Sequence, residues 1–359
     1  MACPIPTHPL ARHCGLTLVE LMIGMAIGLL VVAVVTALYV HTQQSQRMLD
    51  RQSQSRETGA FVLELLGREI GNAGFYPSHF LPVASDPTQA GMYDTYPPLE
   101  TPVSNPVNRI STDWQNSSTG WPPLAYQTGI YGCEGGEFNV QSASCPTPDP
   151  SQPDSLVINY FTGDVTLAAS GRHDCTRSNI ENDTSNTNRF DATKSKTTPP
   201  VQPLFVSNRY TLKSTKQQVD GADHTTLSFA CSGNGANPWG TVSTYQPIVS
   251  GLKALRFSYG VHSGQGGREP QKFYTATEVS AMPAVQVMGE SLTGWQRVTA
   301  IRVCVLSQTL GGGTRLEDIA GKEKTYLDCS DTSQPQPAGQ MIERFVQVFG
   351  VRNGLTHSD

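Results

Sequence analysis

Residues 15–40 read GLTLVELMIGMAIGLLVVAVVTALYV, and this stretch decides how the chain is built. From Leu16 to Val40, 20 of the 25 residues are apolar, and residues 21–40 carry no charge. Twenty helical residues span about 30 Å, which is the thickness of a bilayer core. No other stretch approaches this apolar density. The sequence therefore predicts one membrane anchor joined to a polar body.

The rest of the chain is weakly charged and rich in turn residues. Of the 359 residues, 15% are charged, the net charge is −5, and there are 33 glycines and 25 prolines. Average globular domains are about 25% charged. The glycines follow no three-residue period, which excludes a collagen. Nothing supplies a clustered positive field, so we expect no direct nucleic-acid partner.

One carboxylate, that of Glu20, interrupts the anchor. A charge inside a spanning segment costs about 2.5–3.5 kcal/mol even on lenient insertion scales, so it normally has a partner. The apolar run itself offers none. A free α-amino group at Leu16, created by a cut after Gly15, would be suitable, in this chain or in a neighbour beside it. The order of the segments differs from that of an ordinary secretory signal, because no Ala-x-Ala-like site follows the apolar run.

The hexapeptide from Gly15 to Glu20, between a short basic leader and a long apolar run, resembles the processing motif of type IV prepilins and pseudopilins. This resemblance implies that prepilin peptidase cuts after Gly15 and N-methylates Leu16. It also implies that Glu20 docks the subunit into a growing filament. Phenylalanine is commoner in the family where this chain has Leu16.

Three further stretches resemble the PilW family of minor pilins: LELLGREIGNAGFYPS (Leu63 to Ser78), WQRVTAIRV (295–303) and a closing strand from Arg344 to Asn353. The resemblance implies a minor pilin that primes pilus assembly and lies at the filament tip. Its implied partners are the major pilin, other minor pilins, an adhesin-type tip protein and the inner-membrane assembly platform. The body would be periplasmic before assembly, with the N-terminus cytoplasmic, and at the cell surface afterwards. Twitching, adhesion and DNA uptake stay open as roles.

The anchor helix is expected to continue into the body. No proline occurs from Leu16 to Tyr76, so we expect an uninterrupted helix. Apolar side chains beyond the anchor recur at helical spacing and predict a stripe that the body covers: Phe61, Val62, Leu65, Leu66 and Ile70. Gly24 and Gly28 form a small-xxx-small pair, which either permits close helix approach in lipid or reflects how common glycine is in spanning helices.

Beyond the helix the apolar period changes to two, which predicts half-buried strands. The alternating positions are Leu156, Ile158, Tyr160; Leu204, Val206, Tyr210, Leu212; Leu227, Phe229, Cys231; Leu255, Phe257, Tyr259; Ile301, Val303, Val305; Phe345, Phe349, Val351. The fold class is therefore α+β, a long N-terminal helix on a mainly antiparallel sheet. The predicted segments are a leader (1–15), a spanning helix (16–40), its periplasmic continuation (41–76), a Pro-rich irregular region (77–153) and a β-rich domain (154–359).

Of the eight cysteines, Cys3 and Cys14 lie in the leader. An even number in an exported domain predicts disulfides, although six cysteines allow 15 connectivities. We favour pairing between nearest neighbours in the sequence: Cys133 with Cys145, Cys175 with Cys231, and Cys304 with Cys329.

The sequence predicts no catalytic residue, metal site or cofactor, because it contains no G-x-S-x-G, H-E-x-x-H or Cys-x-x-Cys motif. Two alternatives to a minor pilin remain open. A J-type pseudopilin of type II secretion shares the processing motif. A membrane-tethered exported enzyme would need a convergent acid–base or nucleophile site that no motif supplies.

Overall fold

A computed structural model describes residues 17–75, 124–161, 169–181, 205–219, 222–234, 244–264, 269–287, 290–309, 324–337 and 340–353. The chain divides into two compact units, Met1–Ser53 and Gln54–Asp359. The leader, most of the Pro-rich region (77–123) and Leu204 lie outside the described residues.

One helix, α1 (Leu18–Asn72), runs through the boundary between these units. It is uninterrupted over 55 residues, as the absence of proline predicts. In the N-terminal unit the apolar side chains of the spanning segment are all exposed. In the second unit, α1 buries Val62, Leu66 and Ile70 completely against the sheet. The N-terminal part of α1 thus presents apolar side chains outward on every face, whereas the later part is amphipathic.

The second unit is built on an antiparallel sheet of eight strands in the order β1-β2-β5-β6-β7-β11-β14, with β8 paired to β7. These strands are β1 (Ile130–Cys133), β2 (Ser155–Phe161), β5 (Phe205–Val219), β6 (Ala222–Ser232), β7 (Gln246–Val261), β8 (Lys272–Tyr274), β11 (Val298–Gln308) and β14 (Ile342–Gly350). Three two-stranded ribbons accompany the sheet: β3 (Ala169–His173) with β4 (Asn179–Glu181), β9 (Val285–Val287) with β10 (Glu290–Leu292), and β12 (Thr325–Leu327) with β13 (Ser333–Pro335). The short helices among the described residues are α2 (Leu124–Gln127), α3 (Ala276–Ala281) and a 3-10 turn at Trp295–Arg297.

The core lies between α1 and one face of this sheet. Alternate residues of the strands point at the helix, among them Ile158, Tyr210, Phe229 and Ile301, which are fully buried. These are positions that the period-two pattern predicts, and the predicted fold class, a long helix with a mainly antiparallel sheet, is confirmed.

The predicted helical stripe is wrong at one position. Phe61 is 41% exposed, whereas Val62 and Leu66 are fully buried. Two glycines on the covered side of α1 contribute to the contact instead. A Cβ at Gly59 would lie 2.4 Å from the ring of Phe345, and one at Gly67 would lie 2.5 Å from the ring of Phe349. Glycine at these positions therefore lets β14 lay its aromatic rings directly on the helix backbone.

The Pro-rich region also differs from the prediction in its described part. Residues 124–153 contain α2 and β1, and β1 extends the main sheet by pairing with β2. A second small core forms here on the sheet face opposite α1, from Ala125, Tyr126, Cys133, Phe138, Ala143 and Val157. A few large side chains thus give structure to a segment whose average composition favours irregular loops.

Candidate functional site

The carboxylate of Glu20 lies in the first turn of α1 and caps the start of the helix. The main-chain N–H and the hydroxyl of Thr17 donate to Glu20 Oε2 at 3.1 and 3.0 Å, and the N–H of Glu20 lies 3.3 Å from Thr17 Oγ1. This reciprocal arrangement is a capping box. The expectation that Glu20 has no local partner is therefore wrong, because the residue three positions earlier supplies two neutral donors.

The apolar segment that follows Thr17 is long enough to cross a membrane. The candidate span is Leu18–Gln43, 26 residues, and none of it is buried by the rest of the described chain. Gly24 and Gly28 both face open space, since a Cβ on either would meet nothing within 4 Å. The surface of this helix is thus available to other helices or to lipid.

The predicted processing site, Gly15 and Leu16, lies outside the described residues, which begin at Thr17. The cleavage after Gly15 and the methylation of Leu16 remain predictions. The docking role of Glu20 and the packing role of the two glycines also remain predictions, because they concern neighbouring subunits.

Disulfide bonds are present, and they join Cys133 to Cys145, Cys175 to Cys231, and Cys304 to Cys329. Their Cα–Cα distances are 5.3, 6.2 and 5.8 Å. Each bridge ties an excursion of the chain to a strand of the main sheet. Cys133 lies on β1, Cys231 on β6 and Cys304 on β11, so the cross-links distribute over both halves of the sheet.

Asp154 is a buried carboxylate of the second unit that the sequence did not single out. Its carboxylate accepts hydrogen bonds from the main-chain N–H groups of Gly135 and Phe257. It also forms an ion pair with Arg256, whose Nη1 lies 2.6 Å from Asp154 Oδ1. Burial raises the pKa of Asp154 in spite of these donors. The group joins the start of β2 to β7 and the loop after β1, which is a structural role.

Arg209 is a second buried charge of the sheet domain, only 1% exposed. Its guanidinium donates to the carbonyl oxygen of Gly233 at 2.7 Å and to the hydroxyl of Ser232 at 2.9 Å. Burial lowers the pKa of Arg209 and raises that of the neighbouring Tyr126. The sequence carries no signal for this burial, because β5 reads FVSNRYTLKSTKQQV and Arg209 is one of many polar residues in it.

Within the described residues there is no group of three or more His, Cys, Asp or Glu side chains that could hold a metal ion. The two buried charges named above bind main-chain atoms and a further side chain each, Arg256 for Asp154 and Ser232 for Arg209.

Comparisons with known proteins bear on both units. Residues 209–353 match the family "Type IV Pilus-assembly protein W" (PilW), and residues 10–36 match the "Prokaryotic N-terminal methylation motif". Among solved structures, a type IV-like pilin, TTHA1219 from Thermus thermophilus, aligns at 12% identity over 58% of this chain and 81% of its own, with a TM-score of 0.26. No curated protein matches the chain. The two family matches together include Glu20 and the strands from β5, without its first four residues, to β14.

Proposed function

We propose that this chain, which carries a PilW-family domain behind a prepilin-type methylation motif, is a minor pilin that primes type IV pilus assembly and lies at the filament tip. Both matched families consist of pilin-type structural proteins, not enzymes. Assembly with other pilins and processing by prepilin peptidase follow from that family. The priming role, the tip position and the adhesin-type partner are our inference.

The observation that carries the proposal is the position of Glu20 within the segment that matches the methylation motif. Its carboxylate lies in the first turn of α1, at the start of the apolar candidate span Leu18–Gln43, none of which is buried by the rest of the described chain. Thr17 satisfies two acceptor positions with neutral donors, but a neutral donor leaves the negative charge in place. A charge at membrane depth is stabilised by an opposite charge. The methylated α-amino group of a processed Leu16, on a neighbouring subunit, is such a charge.

Packing of parallel helices then supplies the rest of the assembly. The exposed faces at Gly24 and Gly28 let a second helix approach closely. The methylation motif and the apolar helix fit anchoring in the inner membrane before assembly. The disulfide-bonded sheet domain would be periplasmic at that stage and would reach the cell surface with the filament.

Replacing Glu20 tests this function. Glu20→Ala removes the charge and one half of the capping box, while the apolar span keeps its length. We expect normal amounts in the membrane fraction and at least about tenfold less in sheared filaments, which corresponds to about 1.4 kcal/mol. Glu64→Ala, at an exposed helical position in the second unit, is the matched control and leaves both amounts unchanged.

Normal amounts of the Glu20→Ala protein in sheared filaments would contradict the proposal. Glu20→Gln separates the two roles of the side chain, because the amide can still accept from Thr17 but carries no charge. We expect Glu20→Gln to behave like Glu20→Ala, and recovery of incorporation by Glu20→Gln would show that capping alone matters.

A further inference from the structure

Strand β14 forms one edge of the main sheet, and it is long and regular. It pairs with β11 through nine consecutive residues, Ile342 to Gly350, without a register shift. Edge strands in soluble proteins usually carry proline, lysine or a bulge that prevents further pairing. None of these occurs in β14, whose sequence is IERFVQVFG. Its charged residues, Glu343 and Arg344, lie together at its first end.

The direction of the main-chain groups along β14 follows from the hydrogen bonds at its two ends. The N–H of Val351 donates to the carbonyl oxygen of Thr299 at 2.8 Å, and the N–H of Thr309 donates to the carbonyl oxygen of Met341 at 2.9 Å. In an antiparallel ladder, hydrogen-bonded pairs alternate with non-bonded pairs. The odd-numbered residues of β14 therefore bond to β11, and the main-chain groups of the even-numbered residues point away from the sheet.

The first of these outward positions is already satisfied. The side chain of Gln336 accepts from the N–H of Ile342 at 3.0 Å and donates to its carbonyl oxygen at 3.1 Å. Among the described residues, the outward main-chain groups of Val346 and Val348 make no such bond. The glutamine thus closes one end of the edge, and the middle of β14 stays available.

The side chains at this open part are apolar and exposed. Val346 is 40% exposed and Val348 is 51% exposed, and both lie on the sheet face opposite α1. Phe345 and Phe349 on the other face are held against α1 at Gly59 and Gly67. An added strand would therefore pair with an edge of β14 that is packed on α1, and its side chains would pack against the two valines at alternate positions.

The charged groups around the valines are three arginines (Arg302, Arg344 and Arg352) and two carboxylates (Asp328 and Asp331), a net charge of +1, while Glu343 is paired with Arg56. Arg302 and Arg344 share one carboxylate, that of Asp331, at 3.9 and 2.5 Å. Arg302 is the cross-strand neighbour of Val348. Arg352, two residues beyond the strand, is exposed and has no ion-pair partner within the described residues. A carboxylate brought in beside Val348 would complete the pair with Arg302.

We propose that the open edge of β14 is a docking site for an extended, acidic segment of another polypeptide, which adds as an antiparallel strand. Main-chain hydrogen bonds to Val346 and Val348 supply the register, and apolar residues at alternate positions cover the two valines. Two copies of β14 would bring their excess positive charges together, which disfavours self-pairing. The proposal concerns the sheet edge alone, so it can fail while the assembly role of Glu20 stands.

The test uses the full chain in detergent micelles and a labelled nine-residue peptide, Glu-Thr-Val-Thr-Val-Thr-Val-Thr-Glu, with binding followed by fluorescence anisotropy. Its glutamates and valines share one strand face. Two control peptides, called twins, differ from it in one respect each. The lysine twin has both glutamates replaced by lysine. The N-methylated twin carries a methyl group on the main-chain nitrogen of each of the three valines, which removes the N–H groups that would bond to β14. We expect the acidic peptide to bind, the lysine twin at least about tenfold more weakly, and the N-methylated twin not at all.

Two variants of the chain locate the site. Val348→Pro removes one outward N–H that takes no part in the pairing with β11. We therefore expect this variant to lose peptide binding while its melting temperature stays nearly unchanged. Val348→Thr keeps the N–H, and its affinity for the peptide should stay within a few fold of the original. Arg302→Glu serves if the proline variant does not fold, and it should invert the preference in favour of the lysine twin. Equal binding of the N-methylated twin, or binding unaffected by both variants, overturns the proposal. Dimerisation that Val348→Pro abolishes, without peptide binding, overturns it in favour of a second copy.

Discussion

Gly59 offers a direct test of how α1 is seated on the sheet. A Cβ at this position would lie 2.4, 2.5 and 2.9 Å from three ring atoms of Phe345. The closest distance is far below ordinary contact, and the atoms include the base of the ring, so the whole side chain must move. Phe345 is fixed on β14, which pairs regularly with β11. Gly59→Ala therefore strains the packing between α1 and β14.

The expected magnitude follows from two opposing effects. Overpacking of a well-packed contact costs about 1–3 kcal/mol. Alanine is more favourable than glycine inside a helix by about 0.8–1.0 kcal/mol. The net change should be a loss of about 0–2 kcal/mol in the free energy of unfolding. In a domain of this size, 1 kcal/mol shifts the melting temperature by about 2–4 °C.

Gly71→Ala is the matched control, because it introduces the same methyl group into the same helix where nothing lies within 4 Å. It should leave stability unchanged or raise it by up to about 1 kcal/mol. The difference between the two alanine variants isolates the contact with Phe345. Adding Phe345→Leu to Gly59→Ala should recover part of the loss, with a coupling of about 0.5–3 kcal/mol in the double-mutant cycle. Equal shifts for both glycines and no coupling would refute the packing described.

Two further predictions concern burial and pH. Leu66→Ala should lower the free energy of unfolding by about 2–5 kcal/mol, because Leu66 is fully buried. Phe61→Ala should lower it by well under half as much, because Phe61 is 41% exposed. Thermal unfolding of both variants measures the two losses, and equal losses would contradict the assigned buried face of α1. Main-chain donation from Thr332 and a hydrogen bond from Gln334 lower the pKa of Asp328, so its contribution to stability is present above the pKa of the unfolded chain and is lost as pH falls through the folded one. Asp328→Ala should therefore lower the melting temperature at pH 7 and have a smaller effect at pH 2.5, and a loss that is the same at both pH values would show that ionisation is irrelevant there.

The features that the sequence predicts well are those encoded by local periodicity. The apolar run after Gly15 predicts the exposed helix, and the alternating positions of β5 to β7 predict strands that face α1. The apolar run and the alternating apolar positions both show which side chains avoid water. Reading either pattern requires no knowledge of which distant residues they contact. The nearest-neighbour pairing of the cysteines coincides with the three observed bridges, whose sequence separations are 12, 56 and 25 residues.

Most of the features that the sequence did not predict depend on contacts between residues far apart in the chain. Phe61 fits the helical period of the buried stripe but lies on the outer side, because Gly59 and Gly67 draw β14 onto the opposite flank of α1. Strand β1 lies in the Pro-rich region (77–153), whose composition favours irregular loops. Arg209 is buried because carbonyl and hydroxyl groups some 24 residues away meet its guanidinium. The capping of Glu20 by Thr17 is local and could have been found from the Thr-x-x-Glu spacing.

The mass of the mature N-terminus tests the central claim most directly. If the chain is a prepilin, protein purified from cells with an active prepilin peptidase begins at Leu16, carries one added methyl group on its α-amino nitrogen, and lacks residues 1–15. Cells without that peptidase yield the uncut chain. A mature protein that begins at any other residue would contradict the account, because Glu20 would then lie at the wrong distance from the new amino terminus.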